Sequence, residues 1–180
     1  MKKNFILLAV VVFSAAFIRL VDHEPNFSPL GAMALFSGAF FSNIYVAIAM
    51  PILSLLLGDA LMGFNGWAYP EQVLVVYGTF VLITLLGRGI LSNNKHVARI
   101  GVSSLLASIA FFIITNFAVW AQGFWSVGLY PTTAAGLIQS YVMAIPFFHN
   151  TLFSDLMYSG IFFGTYYLIK INLPALQEQK

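Results

Sequence analysis

Few residues in this chain are equipped for chemistry, and most of them stand in unexpected company. Pro146-Phe147-Phe148-His149-Asn150-Thr151-Leu152-Phe153-Ser154-Asp155 sets a polar cluster at the entry to the last apolar run. A carboxylate left facing hydrocarbon costs roughly 2.5–3.5 kcal/mol on insertion scales, so Asp155 should face a cavity, a partner or water. Asp59 and Asn116 also sit within apolar runs, and with Asp155 they are expected to line one cavity at a common depth. Arg19 either snorkels to the headgroups or pairs with Asp59 or Asp155. The candidate substrate-binding set is therefore Asp155, Asn116, Asp59, His149, Asn150, Arg19, Asn26 and Trp120.

Other chemistries find little support. The chain has no cysteine, which excludes disulfides and thiolate metal sites. His23 and His149 with scattered acids lack ligand spacing, so no metal and no cofactor are expected. His23-Glu24 runs into Pro25 rather than completing a zinc-protease helix. No nucleophile elbow and no phosphate-binding loop occurs. Gly58-Asp59 matches half of an intramembrane aspartyl motif, but Leu56 replaces its first glycine. The expectation is a protein that is not an enzyme. No ring of charges marks a channel filter. The net charge of +2, without a basic run, gives no footprint for nucleic acid.

The elements that must position these residues are membrane helices. Of 180 residues, 60% are hydrophobic and 8% charged, against about 25% charged in ordinary soluble domains. Lipid must solvate most of such a surface. The predicted fold is all-α, a polytopic membrane helix bundle forming a single domain over residues 1–180. Its helices fall at about 4–21, 30–41, 44–61, 72–90 and 100–120, with an extra short helix at 131–148 before the last span at 151–169. The first of these could also pass for a signal peptide, but apolarity continues beyond the Ser14-Ala15-Ala16 site and further spans follow. The second is short and carries Gly31, Ala32, Ala34, Gly38 and Ala39, of which Ala34 and Gly38, four apart, are spaced for close helix approach. Gly160 and Gly164 on the last helix have the same spacing and are expected to pack against another helix.

Lysine and arginine near span ends prefer the cytoplasm. With the N-terminus inside and six transmembrane helices, Lys2, Lys3, Arg88, Lys95, Arg99, Lys170 and Lys180 all lie inside and only Arg19 lies outside. Seven crossings would move Lys170 and Lys180 out. Six crossings, with both termini cytoplasmic, are therefore expected. That arrangement sends Asp22, Glu24, Asp59, Glu71, Asp155 and all three tryptophans to the outer half.

This layout resembles the substrate-binding S-components of energy-coupling factor vitamin transporters. Ala144-Ile145-Pro146-Phe147 followed by Ser154-Asp155-Leu156 is similar to a Pro-Phe…Gly-Asp-Leu stretch of the biotin type, with a longer insert here. Asn26-Phe27-Ser28-Pro29-Leu30-Gly31-Ala32-Met33-Ala34-Leu35-Phe36 and Thr115-Asn116-Phe117-Ala118-Val119-Trp120 also resemble an uncharacterised family of short bacterial membrane proteins. Within the S-components the chain is similar to the solitary cobalamin-type subunits. The resemblance implies a multi-pass protein of the bacterial inner membrane that binds a vitamin-like small molecule from the outer side. It also implies a transmembrane coupling subunit and ATPases as partners. Two features depart from it. Ala9 is followed four positions later by Phe13 rather than by a second alanine of the docking pair, and no cysteine is present to ligate cobalt. The alternative reading is a noncatalytic membrane protein that serves another membrane protein as partner or assembly factor through its small-residue faces.

Overall fold

The computed structural model describes residues 24–64, 67 and 69–172, together with Ile6, Val10, Phe13, Phe17 and Ile18. Those five isolated positions are helical; Arg19 and His23 lie outside the described residues. Five α-helices follow: α1 (Leu30–Phe40), α2 (Ile44–Leu61), α3 (Pro70–Leu91), α4 (Val97–Ala121) and α5 (Ala134–Asn172). A 3-10 turn, Gln122–Phe124, extends α4. Among the described residues three helices are long and apolar enough to cross a membrane: Ile44–Leu61, Pro70–Leu91 and Val97–Phe124. The protein is an all-α membrane protein. Leu74, Leu82, Val102 and Ile138 turn outward as a lipid-facing surface must.

Local chemistry sets the boundaries. The Asn43 side chain accepts hydrogen bonds from the Tyr45 and Val46 amides and so starts α2. Pro70 opens α3 at a position where its missing N–H costs nothing. The His96 imidazole accepts from the Ala98 amide and starts α4 earlier than its apolar run suggests.

The core is built around α1. Every residue from Leu30 to Ala39 is buried, because α2, α3, α4 and α5 all pack on this one helix. With 11 residues it is about 16 Å long, half the thickness of a hydrocarbon core of about 30 Å. Gly38 lies against the Thr84 carbonyl and Arg88 amide of α3, and Gly87 of α3 lies against the Leu35 backbone of α1. A β-carbon at either position would overlap main chain, so these glycines let the two backbones touch. Phe36 and Phe40 complete the contact with Phe163 and Tyr166 of α5.

The predicted short helix at 131–148 and the last span are a single element. α5 runs unbroken through Pro146 for 39 residues, about 58 Å. Proline costs one backbone hydrogen bond but does not end a helix whose neighbours hold it on both sides. From Ser140 to Ser159 along α5, its partners on α4 move back only from Asn116 to Ser104. α5 therefore cannot run straight beside α4, and the surplus length opens a gap between them. A second expectation is not met among the described residues. Among the described residues no atom lies within 4 Å of a β-carbon built at Gly160 or Gly164; the small faces that pack are those of α1 and α3.

These contacts separate two kinds of glycine. Gly87→Leu should lower stability by about 1–3 kcal/mol through overpacking, seen as a lower melting temperature in detergent. Gly164→Leu should leave the melting temperature unchanged.

Candidate functional site

Because α1 fills only half the length of the bundle, the other half is left to be filled by something else. Above its N-terminus lies a cavity in two adjoining compartments of about 300 Å³ each. The lower one is lined by Leu30 and Gly31 of α1, Leu55, Phe80, Ile83, Phe111 and Asp155. The upper one is lined by Gln72, Phe112, Thr115, Asn116, Phe147 and Phe148. Asn26, Val76, Phe111 and Thr151 belong to both. Asn26 stands exposed at the rim with φ of 63°, a left-handed conformation that asparagine tolerates better than most residues.

Asp155 forms the floor. It is 2% exposed and its carboxylate rests directly on Gly31, where any side chain would displace it. Ser108 Oγ lies 2.7 Å from Asp155 Oδ2 and 3.0 Å from the Ser104 carbonyl. The hydroxyl has one hydrogen, and the shorter, charge-assisted contact to the carboxylate takes it. The Ala32 amide donates to the same carboxylate. The N-cap position of α1, Pro29, has no side-chain acceptor to offer, and Ser28 Oγ accepts only from the Leu30 amide at 3.4 Å; Asp155 supplies from α5 the negative group that a helix N-terminus favours. One turn further along the seam, Ser104 Oγ donates to Ser159 Oγ at 2.7 Å.

The opposite end of α1 is satisfied by a cation. Arg88 Nη1 and Nη2 donate to the Phe41 and Ser42 carbonyls at 3.1 and 2.6 Å. Lys95 stands 4.9 Å from the centre of the Phe40 ring; burial, and then the nearby charge of Lys170, hold its ammonium pKa below the ordinary lysine value. A carboxylate at the N-terminus and a guanidinium at the C-terminus both match the helix dipole.

The structure distributes the predicted site residues unevenly. Asp155, Asn116 and Asn26 line the cavity, with the Asn116 amide nitrogen bonded back to the Phe112 carbonyl at 2.8 Å. Asp59 is not among the lining residues. It lies in the last turn of α2, where Tyr77 and Trp67 donate to it at 2.7 and 3.2 Å. Asn116 and Asp155 thus line adjoining compartments of the cavity, while Asp59 is held by Tyr77 and Trp67. His149 is exposed. Asn150 donates to the Pro25 carbonyl at 2.9 Å, and Trp120 Nε1 is shared by the Pro131 and Thr133 carbonyls; both fasten loops around the rim.

Ser108, Thr151, Gln72 and Phe111 were missed as site residues. Ser104 and Ser108 on one helix face Ser159 and Asp155 on another, each pair four residues apart. That matched spacing was a readable sign of a polar seam. Gln72 donates to the Ala118 carbonyl and to Gln122, which in turn donates to Glu71. Gln72 thereby ties this network to the wall of the upper compartment.

Asp155→Ala would leave the Ala32 amide without its acceptor while Ser108 turns to the Ser104 carbonyl, at a cost of about 1–3 kcal/mol. Arg88→Met should cost a similar amount at the other end of α1. The two sites lie about 16 Å apart, so the double variant should show their sum to within about 0.5 kcal/mol. Equilibrium unfolding of the three variants in detergent measures this.

Comparison with curated proteins and with solved structures gives no match. Residues 1–176 match DUF6580, a family of unknown function, and the chain belongs to that family.

Proposed function

We propose that this protein is a membrane-embedded binding subunit that captures a small organic nutrient, in the manner of the S-components it resembles. The observation that carries the reading is the cavity itself. A half-length helix stops at mid-bundle, and the vacated half is a two-compartment chamber with a carboxylate floor, aromatic walls and several amide and hydroxyl groups. Sites for small molecules have this composition: mostly apolar, with a few polar groups that fix orientation. Short helices ending inside a membrane bundle are a recurring way to build such sites. Nothing in the chain resembles a nucleotide-binding motif, so uptake would draw its energy from a partner such as a transmembrane coupling subunit with ATPases.

The orientation belongs to the same proposal. All described lysines and arginines (Arg88, Lys95, Arg99 and Lys170) gather at the end of the bundle away from the cavity. Glu24, Asp59 and Glu71 lie at the cavity end, with Trp67 and Trp125. Six crossings, counting the N-terminal segment and α1, place the basic end and both termini in the cytoplasm and open the cavity outward. The host membrane is the bacterial inner membrane.

The face at Gly160 and Gly164, open among the described residues, favours a second reading, in which the protein serves another membrane protein as partner or assembly factor. Native mass spectrometry of the detergent-purified chain separates the two. A co-purifying small molecule supports capture, and a stable protein complex without one supports the partner role. For orientation, Val127→Cys in intact cells should react with an impermeant thiol reagent and Asn94→Cys should not. The reverse pattern would overturn the outward opening.

A further inference from the structure

Among the described residues the cavity has a single ionisable wall residue, and its charge is incompletely matched. A carboxylate offers about four acceptor positions; at Asp155 the Ser108 hydroxyl and the Ala32 amide occupy two. The start of α1 contributes roughly half a positive charge, which leaves part of the negative charge uncompensated. No lysine, arginine or histidine among the described residues lines either compartment. Buried charge is stable only where opposite charge and hydrogen-bond donors complete it. The walls beside it carry Phe80, Phe111 and Phe148, whose ring faces attract cations.

We propose that the ligand is a small organic ammonium, its N–H groups donating to Asp155 and its apolar body lying along the wall shared by Val76, Phe111 and Thr151. This rests on the binding reading above and names its substrate class. The ammonium supplies the charge and the donors that Asp155 lacks, and the paired compartments accommodate an aromatic-sized body. A carboxylate or phosphate nutrient meets repulsion at this floor without a basic side chain to offset it.

The test uses three probes that share a phenylethyl body, titrated into the purified full chain: 2-phenylethylammonium, 2-phenylethanol and 3-phenylpropionate. The ammonium should bind about tenfold or more tighter than the alcohol, and the carboxylate should not bind. Asp155→Asn should remove the preference for ammonium over alcohol. Should that variant fail to fold, Thr151→Trp fills the shared wall with Asp155 intact, and it should abolish binding of both probes. The proposal is overturned by equal binding of alcohol and ammonium, by preference for the carboxylate or by no binding of the ammonium. Binding that survives Thr151→Trp overturns it too. Co-purification of a neutral or anionic molecule would refute this substrate class and leave the capture reading standing. If no molecule co-purifies and no probe binds, both fall.

Discussion

A buried helix half as long as its neighbours leaves one terminus, here the N-terminus, inside the bundle, where its free amides need a partner from the protein. The rest of the structure follows from how α1 meets that demand. Asp155 reaches its N-terminus from α5 and Arg88 reaches its C-terminus from α3. The two charged groups are thereby placed where the backbone itself provides opposite partial charge. Gly31, Gly38 and Gly87 make the approach possible by leaving no side chain in the way. A helix extended at its N-terminus would not need Asp155 there, but it would also fill the cavity.

The cavity is in this sense a by-product of chain length. Four surrounding helices are long enough to wall a full span, and α1 occupies only its basic half. α5 adds to the space by taking more residues than α4 to cover the same stretch. Its surplus, around Pro146, carries Ala144, Phe147 and Phe148 into the upper compartment wall. The loops at that end are then fixed by side chains: Trp120 on the segment before α5, Asn150 on the segment before α1, and Gln72 with Gln122 between α3 and α4.

Much of this was legible in the sequence. The bounds of α1 and α2 came from proline, asparagine and apolar run length, and α3 and α4 differ from expectation by a turn or less. The burial of a charged residue at Asp155 and the polar role of Asn116 followed from their setting in apolar runs. What could not be read was who meets whom. Asp155 was expected to meet Arg19, which lies outside the described residues, or a ligand; among the described residues it meets the Ser108 hydroxyl and the Ala32 amide, and a backbone amide carries no side-chain signature. Arg88 looked like one more cytoplasmic cation, although its guanidinium holds two carbonyls of another element. Pro146 and the polar residues after it suggested a break, because the neighbours that tolerate a proline within a helix are invisible from the helix's own sequence.

The order of the elements along the chain bears on how the protein is made. α1 precedes both residues that complete it, with Arg88 on the next helix but one and Asp155 on the last. When synthesis delivers segments to the bilayer in sequence, each charged group enters after the backbone it will cap is already in place. The Asp155 carboxylate can then pass directly from the insertion machinery to the Ala32 amide and the Ser108 hydroxyl, with no interval of exposure to lipid. Reversing that order by circular permutation would leave the final fold the same on paper, but it would strand a charge in hydrocarbon during assembly.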